Sequence, residues 1–134
     1  ANMSFFLIIG AMKKYLLLLL FFAVCLPVSA KEKAEIRFAS RIHDFGYVKE
    51  TAGNVSHEFE FENTGDAPLI IISVRRSCGC TLPTYPKKPI APGEKGKIGV
   101  TYIPTGRQGP FDKAVTVKTN AGNVHLRIKG NVIP

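Results

Sequence analysis

The sequence has no tryptophan, only three cysteines in 134 residues, and 10 Asp+Glu against 18 Lys+Arg. Without Trp it lacks the Cys…Trp…Cys frame of antibody-type domains. It has no Cys-x-x-Cys and no second cysteine pair, which argues against thioredoxin-type redox chemistry and a four-ligand zinc site. No Gly-rich phosphate loop and no Ser-His-Asp arrangement is visible. After Ala30 no segment of useful length carries a helical period, so bundles and βαβ folds are disfavoured. The length allows one ordinary domain.

Long apolar runs are confined to the start. Met12-Lys13-Lys14 forms a basic n-region, residues 15–28 are apolar, and Val28-Ser29-Ala30 places small residues where signal peptidase cuts. Fourteen residues of helix reach roughly 21 Å, short of a ~30 Å hydrocarbon core. The expectation is a signal peptide over residues 1–30, with Met12 as its natural start and cleavage after Ala30. Cys25 raises lipidation as an alternative. Val24 stands before it where a small residue is the rule, so plain cleavage is preferred. Two of the 18 bases and none of the acids fall in these 30 residues, leaving 16 against 10 over residues 31–134, a net +6.

From Lys31 onward the period is two, with turn signals every eight to twelve residues. Strands are expected over 35–39, 45–48 and 54–62. In the third, Val55, His57, Phe59 and Phe61 share a face opposite Ser56, Glu58, Glu60 and Glu62. Asn63-Thr64-Gly65-Asp66 reads as a turn. The continuous apolar run at 69–75 predicts a central strand covered on both sides. Residues 77–93, with prolines at 83, 86, 89 and 92, read as an extended polyproline-like path. Further strands are expected at 96–102, 111–119 and 124–132. The last has Gly130 breaking its apolar row and turns His125, Arg127 and Lys129 to solvent. About seven short strands predict an all-β, immunoglobulin-like sandwich as a single domain over residues 31–134.

Ser77-Cys78-Gly79-Cys80-Thr81 sits where a strand gives way to a loop, a place favoured for functional groups. Once the leader is removed, Cys78 and Cys80 are the remaining thiols. Residues two apart reach disulfide geometry only in a bent backbone, which Gly79 permits, through a positive φ if need be. So small a ring is more easily reduced than a structural bridge. Arg75 and Arg76 alongside favour thiolate. Three readings stay open: a disulfide or packed thiols fixing the loop, a soft-metal site suited to Cu(I), and disulfide exchange.

Other groups carry less. His57 on an apolar face reads as a hydrogen-bonded core or rim histidine, His43 precedes a strand, and His125 faces solvent. Glu58, Glu60 and Glu62 stand about 6.6 Å apart, a glycosidase-like spacing that any strand's solvent face produces. The basic excess lacks interleaved aromatics, so nucleic acid is not an expected partner. Edge-guarding charge is the simpler reading, with anionic glycans or a membrane surface as alternatives. Asn54-Val55-Ser56 matches a glycosylation sequon of meaning only in a eukaryotic secretory route.

The ordered set Asp44-Phe45-Gly46, His57-x-Phe59-x-Phe61-x-Asn63-Thr64-Gly65, Pro68-Leu69-Ile70-Ile71, Ser77-Cys78-Gly79-Cys80-Thr81, Pro89-Ile90-x-Pro92-Gly93 and Gly130-x-Val132 resembles the bacterial family of unknown function numbered 1573. It is also similar to immunoglobulin-like domains of the Hydin and major sperm protein type. The resemblance covers most of residues 36–134, and its most specific part is the Cys-Gly-Cys segment with the Pro-Ile-x-Pro-Gly that follows. It implies an exported or lipid-anchored bacterial protein and no established activity. The expectation is an exported, non-catalytic binding or structural module. Its partner is an envelope protein or anionic glycan, it needs no cofactor, and it meets membrane only through its leader or a lipid anchor. The alternative is a thiol site at Cys78 and Cys80, with Arg76 and Gly79 as neighbours.

Overall fold

The computed structural model describes residue 10, residues 12–18 and residues 31–134. The chain divides into two compact units, Ala1–Lys31 and Glu32–Pro134. Residues 12–18 are helical and exposed. Among the described residues no helix is long and apolar enough to cross a membrane. Most of the apolar leader, Cys25 and the expected cut after Ala30 lie outside the described residues.

The larger unit has eight strands: β1 (Ile36–Phe38), β2 (Ile42–Lys49), β3 (Val55–Asn63), β4 (Ile71–Arg76), β5 (Thr81–Thr84), β6 (Lys95–Tyr102), β7 (Gly109–Thr119) and β8 (Gly122–Ile133). They form two four-stranded sheets, ordered β1-β3-β6-β5 and β2-β8-β7-β4. The period-two pattern explains the sandwich. Phe59, Phe61, Ile98, Val100 and Tyr102 point inward from one sheet and Val115, Val117, Leu126, Ile128 and Val132 from the other, all buried. The same alternation turns Glu58, Glu60, His125, Arg127 and Lys129 to solvent. The expected immunoglobulin-like sandwich is therefore observed, with eight strands.

Three expectations about particular segments change. The 69–75 run is not a covered central strand: β4 is the edge of its sheet, and Ile70 and Ile72 are exposed at 45% and 52%. Leu69 and Ile71 are buried and Ile70 and Ile72 exposed, so the run is continuous because the outward positions of this edge are apolar too. A register shift follows between Ile71 and Ser73. Residues 81–84, expected within a polyproline-like path, pair antiparallel with β6 as β5. Pro83 is tolerated there because β5 is an edge strand. His43 lies within β2, which pairs parallel to β8 and is irregular between Asp44 and Tyr47.

Gly130 shows why β8 needs a residue without a side chain. A Cβ there would lie 2.8 Å from the Phe111 ring and 3.0 Å from the Gly46 carbonyl oxygen. Phe111, so placed, stacks on Tyr102 of the opposite sheet, centroids 3.8 Å apart and 11° from parallel. That stack closes one end of the core.

Candidate functional site

β4 ends at Arg76, and the chain then crosses from one sheet to the other through Cys78-Gly79-Cys80 to start β5. The crossing is held locally. Thr81 Oγ1 donates to the Cys78 carbonyl (3.3 Å), Arg76 Nη1 donates to the Thr81 carbonyl (3.3 Å), and Ile103 N donates to the Cys80 carbonyl (2.9 Å). Cys78 and Cys80 form a close pair with Cα atoms 5.3 Å apart, within the disulfide range, and their sulfurs are in bonding contact. Cys78 Sγ also accepts the Cys80 N–H at 3.1 Å. Cys80 is buried in the core and Cys78 half-buried at its margin.

The bend is made without a positive φ at Gly79, in contrast to six glycines elsewhere in the chain. A Cβ at Gly79 would meet nothing within 4 Å. The copper reading does not survive this geometry. Two sulfurs bonded to each other present no thiolate pair to a metal, and among the described residues no three His, Cys, Asp or Glu side chains gather into a ligand set.

The pair borders a groove of about 340 Å³ whose other walls sequence reasoning passed over: Tyr102, Arg107, Gln108, Pro110, Phe111 and Lys113. The Tyr102–Phe111 stack lies along it. Burial raises the Tyr102 pKa, and the nearby Arg107 charge partly opposes that. No acid lines the groove. Arg107 is carried on the β6–β7 loop, where its backbone N–H donates to Pro104 O (3.0 Å) and its guanidinium to Thr105 O (3.2 Å). Glu50, on the short 3-10 turn Glu50–Ala52, braces that loop from outside. Its two carboxylate oxygens accept Gln108 Nε2 and the Gly106 N–H, each at 2.8 Å. Those two hydrogen bonds, Gln108's first, lower the Glu50 pKa.

The groove also coincides with a gap in strand pairing. β7 pairs with β8 along its whole length, from Gly109 to Thr119, but β4 covers only Val115 to Thr119. Residues 109–114 therefore have a partner on one side alone. Pro110 in this stretch was the available sequence signal, since proline within a sheet marks an open edge. Elsewhere the edges are blunted. β1 has three residues, β5 contains Pro83, β2 is irregular, and β4 ends in Arg75-Arg76 with the Ile70 backbone already bonded to Asn120.

The remaining sequence candidates lie elsewhere. Glu58 and Glu60 are bridged by Lys97 (3.3 and 3.9 Å) on an exposed face, as a solvated strand surface requires. His57 is at the rim, stacked on His43, and His125 is exposed with Nδ1 3.1 Å from Thr116 Oγ1. Lys87 lies over the Tyr85 ring at 3.3 Å.

Two packed four-stranded sheets define an immunoglobulin-like sandwich. The family model described as "Protein of unknown function (DUF1573)" matches residues 36–132, and the chain belongs to that family. No curated protein matches. Among solved structures, a protein of unknown function from Porphyromonas gingivalis W83 is similar at TM-score 0.66 and 15% identity, covering 78% of this chain and 50% of its own. This chain thus spans half the length of that relative. The ASH / PapD-like domain 7 of human CEP192 is similar at TM-score 0.61 and 13% identity, over 81% of this chain and 92% of its own. The Vibrio cholerae VesB protease matches at TM-score 0.54 and 16% identity, over 74% of this chain and 32% of its own. At such identities the likeness is one of fold.

Proposed function

We propose that the protein is a non-catalytic binding module exported to the periplasm or outer surface of a bacterial envelope, and that it takes an extended, acidic segment of an envelope protein in the groove beside Cys78 and Cys80. The observation that carries this reading is the half-paired stretch 109–114 of β7. An added strand finds there about 20 Å of backbone to pair with, in line with β4. Arg107 and Lys113, with no acid on the groove wall, favour a ligand of negative charge. Export rests on the basic-then-apolar leader and its small-residue cleavage pattern.

The test is fluorescence-anisotropy binding of eight-residue peptides that alternate Val with Glu, or Val with Lys. The Val/Glu peptide binds, the Val/Lys peptide does not, and Lys113→Glu with Arg107→Glu abolishes the difference. Equal binding of both peptides, or of neither, counts against the reading. Retention of a sulfated oligosaccharide in place of the peptide would move the partner to an anionic glycan.

A further inference from the structure

We infer that the Cys78–Cys80 pair is a thiol–disulfide exchange site whose substrate is a pair of cysteines on an acidic extended strand lying in this groove; the inference rests on the groove being the docking place. A structural role explains the bridge poorly. Closing a loop over a single intervening residue constrains the unfolded chain far less than a long-range bridge does. The flanking chain is already fixed by the bonds of Arg76, Thr81 and Ile103.

The two sulfurs differ in the way exchange requires. Both residues border the groove, but Cys78 is half-buried whereas Cys80 is 2% exposed and belongs to the core. An incoming thiolate therefore reaches Cys78 Sγ first. The new bond forms from the substrate sulfur to Cys78, the Cys78–Cys80 bond breaks, and its electron pair stays on Cys80, which takes up the proton given up by the substrate thiol. A second substrate thiolate then attacks the mixed disulfide. The substrate leaves oxidised, with its own disulfide, and Cys78 takes the second proton, so the protein is left as a dithiol. Run in reverse, the same steps let the dithiol reduce a substrate disulfide. Two features favour Cys78 as the exchanging sulfur: the Cys80 N–H held 3.1 Å from its Sγ, which stabilises a thiolate, and the positive field of Arg107 and Lys113, which does the same for the approaching thiol.

The experiment treats the full chain with reduced glutathione, an anionic thiol, or with cysteamine, a cationic one. Acid quenching is followed by mass spectrometry of the tryptic peptide 77–87, which separates this pair from Cys25. Each rate is divided by that of the same chain unfolded in guanidinium. Mixed disulfide is expected on Cys78 and not Cys80, formed about tenfold faster with glutathione at low salt, and Lys113→Glu reverses that order. A Cys80→Ala variant, whose Cys78 is a free thiol, is treated instead with oxidised glutathione. Cys78 displaces one glutathione thiol and keeps the other as a trapped adduct, and the untouched wild type guards against a folding defect in it. If the native chain gives no adduct where the unfolded chain does, the exchange site is overturned and peptide docking stands. If adducts form at equal normalised rates, exchange stands and the acidic-ligand reading of the groove falls.

Discussion

His43 of β2 and His57 of β3 stack face to face, centroids 3.7 Å apart and 7° from parallel, joining an edge strand of one sheet to an inner strand of the other. Phe45 and Phe59 meet them edge-on at 4.6 and 4.7 Å, so the pair is clamped between aromatics. Partial burial lowers the His57 pKa from 6.5, the neighbouring His43 lowers it further, and Glu58 opposes both.

The folded state thus binds a proton at His57 less readily than the unfolded chain, and stability must rise with pH across this range. The contribution is full above about pH 6.5 and is lost as pH falls through the lower folded value. Urea midpoints measured from pH 8 to pH 5 are expected to fall on the acid side. His57→Phe, which keeps an aromatic in the stack, should flatten that part of the curve. An unchanged slope in the variant would assign the acid sensitivity to other groups.

Asn63 is fully buried and acts as a four-way clamp. Its Oδ1 accepts the Gly65 N–H (3.0 Å) and the Glu35 N–H (3.4 Å), and its Nδ2 donates to Ala67 O (2.8 Å) and Ile90 O (2.9 Å). Asn63→Ala strands these backbone groups and is expected to cost about 2–3 kcal/mol in equilibrium urea unfolding. Asn63→Asp is expected to cost more, because it buries a charge and removes both donors. A loss below half a kcal/mol for Asn63→Ala would show that water replaces the clamp.

Gly130→Val places methyl groups against the Phe111 ring, where even a Cβ comes within 2.8 Å. Overpacking of this kind costs about 1–3 kcal/mol. The same substitution in a Phe111→Leu background is expected to cost less than the two changes summed. Strict additivity in a double-mutant cycle would contradict the contact.

Glu50 positions the Arg107 loop without touching the groove. Glu50→Gln weakens its hold on the Gly106 N–H and on Gln108, so peptide affinity is expected to drop severalfold with little change in the unfolding midpoint. Since the Glu50 pKa is lowered in the fold, the brace is present above about pH 4.5 and lost as pH falls through the lower folded value. Titrating peptide affinity from pH 7 to pH 3.5 in wild type and variant checks this, and parallel curves would refute it.

Much of the sandwich was legible because one face of each strand is buried. The Val55–Asn63 alternation, for instance, follows from β3 packing inward with Phe59 and Phe61. β4 misled because Ile70 and Ile72 are apolar at solvent-facing positions, and β5 because a proline-bearing edge strand has no usable period. Cys78 and Cys80 stood out by spacing alone. Arg107, Lys113 and Glu50 did not, because only the fold brings the β6–β7 loop and β7 beside the cysteines, and the turn that braces that loop bonds to it across 56 positions of sequence. Asn63 looked like a turn residue, and only tertiary closure makes it a clamp.

The central claim is that the unpaired edge of β7 at residues 109–114 accepts a strand, and amide hydrogen exchange reads it most directly. With saturating Val/Glu peptide, protection is expected to rise for amides within 111–114 and to stay level on β2 and β5. Protection that rises on another edge, or nowhere in β7, would contradict the account.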